Sequence, residues 1–152
     1  MKIADFFRED RILLSLNSSK KREAIKEISG VLQGSKEITD FDSFLRDVFE
    51  REELSTTGLR NYIAIPHART DAVKEFVIAF GRSSQGVEFD SPDGNPSKFI
   101  FLMGTPREKG LNSYLKILAH LTRLLNKKEF QKELMEASSP KQVIEAFRKF
   151  EG

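Results

Sequence analysis

Few side chains in this sequence can do chemistry near neutral pH: its 152 residues hold two histidines, His67 and His120, and no cysteine. Without cysteine there is no disulfide, no thiolate nucleophile and no sulfur-based zinc or iron–sulfur site, and two histidines are too few for a three-histidine metal centre. The more distinctive of the two lies in Thr56-Thr57-Gly58-Leu59-Arg60-Asn61-Tyr62-Ile63-Ala64-Ile65-Pro66-His67-Ala68-Arg69. Tyr62-Ile63-Ala64-Ile65 is β-prone and Pro66 stops the ladder, so His67 is expected just beyond a strand end. Ligands and reacting groups of open α/β sheets gather at such ends. An imidazole held there serves as base, metal ligand or nucleophile according to its surroundings. No carboxylate stands within three residues of His67, and its neighbours Thr57, Arg69 and Thr70 suit an anion. A ring nitrogen that accepts a phosphoryl group needs such company, positive charge and hydroxyl or backbone donors for three phosphate oxygens. A partly exposed histidine that merely ends a strand is the competing reading of the same spacing.

Composition narrows the partners. Lys+Arg 25 against Asp+Glu 23 gives a net charge of +2 with no basic block, which offers nucleic-acid binding no support. The start of the chain lacks an apolar signal region and no stretch approaches the ~20 apolar residues of a membrane helix. The expectation is a soluble, cytoplasmic protein without direct membrane insertion, folded as one domain over residues 1–152, with no cofactor or metal called for.

The elements that must position His67 follow from periodicity. Arg11 to Leu16 reads as a short strand. Asn17-Ser18-Ser19 offers capping side chains to a helix in which Ala24, Ile25, Ile28, Val31 and Leu32 recur at helical spacing, closed by Gly34. Thr39-Asp40-Phe41-Asp42 opens a second helix. There Phe41, Phe44, Leu45, Val48 and Phe49 form the apolar stripe, while Arg46, Asp47, Glu50, Arg51, Glu52 and Glu53 are expected to stay wet. Phe76 to Phe80 and Phe99 to Met103 are continuous apolar runs, the pattern of strands covered on both faces. The segment between them has no helical period, so they are expected to be antiparallel, joined through an excursion around Val87-Glu88-Phe89. After a loop from Gly104 to Gly110 the pattern is helical again. Leu111, Leu115, Leu118, Thr122 and Leu125 make one face, widened by Ile117, Leu121 and Leu124, which predicts a mostly buried helix. Phe130 and Leu134 mark another. Ser139-Pro140 caps a last one with Val143, Ile144, Phe147 and Phe150 on its apolar face. The fold class is α/β: a mixed central β-sheet covered by helices on both faces, in a single layered domain.

Arg51-Glu52-Glu53-Leu54-Ser55-Thr56-Thr57-Gly58, followed by Asn61 and Ile63-Ala64-Ile65-Pro66-His67-Ala68-Arg69, resembles the active-site signature of the enzyme IIA components of the bacterial phosphoenolpyruvate-dependent phosphotransferase system, mannitol/fructose type, including its nitrogen-regulatory branch. Gly86-Val87-Glu88-Phe89 and Leu115-Lys116-Ile117-Leu118-Ala119 to Leu124-Leu125 extend the resemblance over nearly the whole chain. It implies a phosphohistidine carrier. His67 takes a phosphoryl group from the histidine-containing phosphocarrier protein and passes it to the IIB domain of a sugar permease, or a regulatory protein reads its phosphorylation state. Arg51 matches the family arginine near the phosphoryl group and is the expected clamp. Thr56, Thr57 and Arg69 are candidate phosphate-binding residues, and so is Ser113, in the first turn of a helix whose free N–H groups and dipole favour an anion. The alternative is a non-catalytic interaction module that keeps the fold and binds a transporter or kinase.

The sequence departs from the family pattern in three places. Tyr114 stands where sugar-type members have a second histidine, one position before a Leu-x-x-Leu helix segment, and a tyrosine donates a hydrogen bond without adding positive charge. Arg60 and Tyr62 stand where the family commonly has glycines, adding bulk beside the active strand. His120, six residues past Tyr114, lies about 120° round the helix and is expected to pack or sit at the surface. These departures point to a slower, regulatory or specialised carrier. Leu59, Tyr62 or Ala68 would form its transient docking patch, with Arg60 and Arg69 at the rim.

Overall fold

The structure is a computed structural model that describes residues 2–108 and 111–152. Residues 109 and 110, the end of the loop expected from Gly104 to Gly110, lie outside the described residues. That loop is shorter than expected, because its first three residues, Gly104, Thr105 and Pro106, still belong to a strand.

The two apolar runs form the centre of a five-stranded sheet. β1 (Ile12–Leu13), β2 (Ile63–Ala64), β3 (His67–Thr70), β4 (Val77–Val87) and β5 (Ser97–Pro106) are arranged in the order β1-β4-β5-β2, with β3 also on β5. β4 and β5 are antiparallel, from Val77 opposite Gly104 to Arg82 opposite Phe99, with an irregularity before Val87 meets Ser97. β1 is parallel to β4, and β2 and β3 are parallel to β5, so the sheet is mixed. The antiparallel relation is as expected, but the link is not a separate excursion: β4 itself continues to Val87.

Both faces of this sheet are covered, and strand alternation explains the continuous apolar runs. Ile78, Phe80, Phe99, Phe101 and Met103 face one core, built with α3 (Leu111–Leu125), α4 (Lys128–Glu136), α5 (Pro140–Glu151) and the N-terminal Ile3, Ala4 and Phe7. Val77, Ala79, Ile100 and Leu102 face the other, built with α1 (Lys21–Ser29) and α2 (Phe41–Leu54). Asp40 caps α2 by accepting from Ser43 N at 3.1 Å, and Ser139 caps α5 with Pro140 in its first turn. Arg82 ties the sheet to the end of α4 by donating to the carbonyls of Leu134 and Ala137, both at 2.7 Å.

Two expectations about helices need correction. α1 has Lys20 at its N-cap and no side-chain cap; Ser18 and the backbone of Asn17 instead bind Glu27 on the next turns of the helix. α3 buries Tyr114, Ile117, Leu121, Leu124 and Leu125, while Leu111 (43%) and Leu115 (50%) are exposed. Two apolar stripes run along α3, and the sheet covers only one of them.

Candidate functional site

His67 opens a strand where one was expected to end. Pro66 has no N–H to give, but its carbonyl accepts from Met103 N at 3.0 Å, so pairing to β5 resumes at once with His67 opposite Met103. The break between β2 and β3 at Ile65-Pro66 leaves the Ile65 carbonyl free to turn toward the imidazole. His67 Nδ1 lies 2.9 Å from Ile65 O. A carbonyl only accepts, so Nδ1 carries the proton and Nε2 presents its lone pair. Burial holds the His67 pKa below its ordinary 6.5, and the positive charge of Arg51 pushes the same way; the Ile65 bond and the Glu52 charge oppose. The ring is therefore neutral at pH 7 and nucleophilic at Nε2.

Tyr114 forms the wall of the site. Its ring centroid is 4.9 Å from that of His67, tilted by 37°, and the side chain is buried. Burial pushes the phenol up to about 12, against the pull of Arg51, so it remains a neutral donor. Arg51, in the last turn of α2, is half-buried and its charge acts on both rings. Its guanidinium donates to Ser55 O at 3.0 Å and, among the described residues, makes no ion pair. Asp47, one turn back, is not its partner: Asp47 accepts from Thr70 Oγ1 at 2.6 Å and so fastens α2 to β3.

The expected hydroxyl donors are otherwise engaged. Thr57 is buried, and its only hydroxyl proton goes to Glu52; the Thr56 hydroxyl donates to the Phe89 carbonyl and accepts from Gly58 N at 3.0 Å. Neither proton is free for an anion, which corrects the expectation for both residues. Their work is to hold the turn that returns the chain to β2, where Leu59 N donates to Ile63 O at 2.8 Å and Ile65 N to Thr57 O at 3.1 Å. Arg69, two residues along β3, falls on the same side of the strand as His67, is exposed, and donates to Arg107 O at 2.7 Å. Ser113 is exposed in the first turn of α3, next to Tyr114.

Arg60 and Tyr62 do not crowd the His67 ring. They belong to the turn at the opposite end of β2, where Asn61 (φ 65°) and Tyr62 (φ 68°) are both left-handed, a conformation glycine adopts without penalty. Lys98 Nζ lies 5.2 Å over the Tyr62 ring there. His120 is remote as well: its Nε2 pairs with Glu151 at 2.8 Å, and the same carboxylate accepts from Ile3 N and Ala4 N. Among the described residues no group of three or more histidine, aspartate or glutamate side chains is arranged to hold a metal ion, and no helix is long and apolar enough to cross a membrane.

Glu52, expected to be wet, is buried. It accepts from Thr57 N at 2.8 Å and pairs with Lys21 Nζ of α1 at 3.0 Å. Spacing alone held the signal: Phe44, Val48 and Glu52 are four apart, one row on one face of α2, and the first two are fully buried. A carboxylate on a buried row must have partners.

A family model described as "Phosphoenolpyruvate-dependent sugar phosphotransferase system, EIIA 2" matches residues 5–150. The chain is 36% identical over 145 residues to the PTS system fructose-specific EIIABC component of Bacillus subtilis, covering 95% of this chain and 23% of that protein. The PTS system fructose-specific EIIA component of Haloferax volcanii is 37% identical over 123 residues, 81% of this chain and 79% of the relative. Among solved structures, the nitrogen regulatory protein IIA-Ntr from Neisseria meningitidis superposes with a TM-score of 0.87 at 30% identity, covering 95% of this chain and 98% of that one.

Proposed function

The chain belongs to the EIIA 2 family of the phosphoenolpyruvate-dependent sugar phosphotransferase system, and from that membership and the geometry at His67 we propose that residues 1–152 are one EIIA domain that carries a phosphoryl group on His67 Nε2. The observation that carries the reading is the Nδ1 bond to Ile65 O, beside a neutral phenol and an arginine that makes no ion pair among the described residues. The donor is the phosphohistidine of the histidine-containing phosphocarrier protein. As it approaches in line, the Nε2 lone pair forms a bond to phosphorus while the bond from phosphorus to the donor's ring nitrogen breaks. The departing electron pair returns to the donor ring, which leaves as neutral imidazole, and the positive charge passes to the His67 ring, whose Nδ1–H stays on the Ile65 carbonyl. Arg51 draws off charge from the phosphoryl oxygens, Tyr114 donates a hydrogen bond from its neutral phenol, and Arg69 adds charge from the strand. Ser113 and the first turn of α3 offer further donors.

Transfer between proteins needs a brief encounter over a modest apolar surface. The proposed patch differs from the residues expected from sequence, because Ala68 is buried and Tyr62 sits at the far end of β2. Leu54 (82% exposed), three residues after Arg51, and Leu111 and Leu115, flanking Tyr114, stand on the two helices that reach His67. A IIB domain of a sugar permease, in the cytoplasm, is the proposed acceptor. Incubation with phosphoenolpyruvate, enzyme I and the phosphocarrier protein is expected to place an acid-labile phosphate on His67 and none on His67→Ala. A wild-type protein that stays unlabelled beside a working control overturns the proposal.

Tyr114 favours a second reading, a regulatory module that binds a transporter or kinase. A second positive ring is missing from the site, and a nitrogen regulatory protein is among the similar structures. In that case His67→Ala still binds the partner and still complements function.

A further inference from the structure

Resting on the carrier reading above, we propose that Glu52, held by Lys21, is a positioning residue that holds Thr57 and Ile65 in place, so that the Ile65 carbonyl takes the Nδ1 proton of His67. Successive hydrogen bonds, passing through the backbone of Ile65 and of Thr57, connect them. His67 Nδ1–H donates to Ile65 O at 2.9 Å, Ile65 N–H donates to Thr57 O at 3.1 Å, and Thr57 N–H donates to Glu52 Oε2 at 2.8 Å. The Thr57 hydroxyl donates to the other carboxylate oxygen, and Lys21 Nζ closes the row at 3.0 Å from Oε2. The ammonium is itself held: Asp90 lies 3.6 Å away and the Phe89 ring 5.4 Å.

A brace for the end of α2 would not need this chemistry. Phe44 and Val48, one and two turns earlier on the same row, hold α2 to the sheet with apolar side chains. A carboxylate at the next position pays a desolvation penalty that only several partners offset. What it adds is direction. Each bond hands on position: Glu52 holds the Thr57 N–H, Thr57 O holds the Ile65 N–H, and the Ile65 carbonyl is thereby kept where it takes the proton on Nδ1. The charge of Glu52 steadies the positive ring that forms when Nε2 takes a phosphoryl group. A buried aspartate does this for a catalytic histidine by direct contact, whereas Glu52 acts through two intervening residues. Arg51 works against that positive ring: its charge lowers the His67 pKa, whereas that of Glu52 raises it. The neighbours 51 and 52 on α2 thus divide the labour, one for the phosphoryl oxygens and one for the imidazole.

The test is a long-range ¹H–¹⁵N correlation of the His67 imidazole, with phosphoryl acceptance measured in parallel, in wild type, Glu52→Gln and Thr57→Val. Wild type is expected to show a protonated Nδ1 and a bare Nε2. Glu52→Gln is expected to move ring-nitrogen shifts toward the other tautomer and to slow acceptance about 10-fold, the low end of what loss of an orienting partner costs a ligand histidine. Thr57→Val, which removes only the hydroxyl bond and keeps the fold if Glu52→Gln does not, is expected to shift the ring nitrogens less and in the same direction. A folded Glu52→Gln protein with wild-type ring-nitrogen shifts and a wild-type rate overturns the proposal. The nitrogen shifts need no phosphoryl donor, so a wild type that accepts no phosphate sinks the carrier reading while the tautomer still decides this one.

Discussion

Gly104 lies in β5 opposite Ala68, one residue from the Met103–His67 pair, and replacing it with alanine tests how closely α2 must approach the strand that carries His67. A Cβ built there meets Phe44 Cε1 at 2.8 Å, Val73 Cγ2 at 3.1 Å and Val77 Cγ1 at 3.2 Å. Carbon atoms prefer about 3.5–4.0 Å, so Phe44 must retreat by roughly an ångström, and it is fully buried in a close-packed core. Overpacking of this kind costs about 1–3 kcal/mol. For a chain of this size that lowers Tm by about 2–12 °C. Phe44 shares its row on α2 with Glu52, so the displacement also moves Arg51 and Glu52 relative to His67, and phosphoryl acceptance is expected to fall at temperatures where the variant is fully folded. Thermal melts followed by circular dichroism, with acceptance measured well below the transition, check both parts. Gly30→Ala is the internal control, since its Cβ meets nothing within 4 Å and its φ of −56° suits alanine; it should gain about 0.4–1 kcal/mol. A Gly104→Ala protein that melts with the wild type, or a Gly30→Ala protein that falls equally far, refutes the close-approach reasoning.

Three further outcomes are expected. Because the folded protein holds the His67 pKa below 6.5, the unfolded chain binds that proton first as pH falls, so wild type loses stability on descending through 6.5 toward the folded value and loses no more from this group below it; urea melts of wild type and His67→Asn at several pH values should differ in slope there, and equal slopes contradict the shift. Tyr114→Phe keeps the ring contact at 4.9 Å and removes the donor, so the fold should persist while acceptance drops by about 10- to 100-fold, the worth of a hydrogen bond to a charged group; an unchanged rate would mean the phenol never touches the phosphoryl group. His120→Ala leaves the buried Glu151 carboxylate with its two backbone donors only, which should cost about 1–3 kcal/mol in a chemical melt without slowing acceptance, and the reverse pattern would return His120 to the site.

Much of the architecture was legible because it is local. Asp40 before Phe41 and Ser139 before Pro140 announce helix starts through groups that bind within their own turn. Two unbroken apolar runs announce strands covered on both faces, because alternate side chains point oppositely whatever lies on either side. The face of α3 was not legible. Leu111, Leu115 and Leu118 are as apolar as Ile117, Leu121 and Leu124, and which stripe meets the sheet depends on where the helix is laid down.

The site divides along the same line. Residue types and order left His67 either a reacting group or a histidine that merely ends a strand, and it was the family signature that made it the expected phosphoryl acceptor and supplied Arg51 and the place of Tyr114. Tertiary structure decided the rest, because hydrogen bonds are assigned by distance in space. It turned the Thr56 and Thr57 hydroxyls away from any anion, gave Nδ1 to the Ile65 carbonyl, and carried Asn61 and Tyr62 to the far end of the strand. It also drew Glu52 inside, where Lys21, thirty-one residues earlier on another helix, makes a buried charge tolerable.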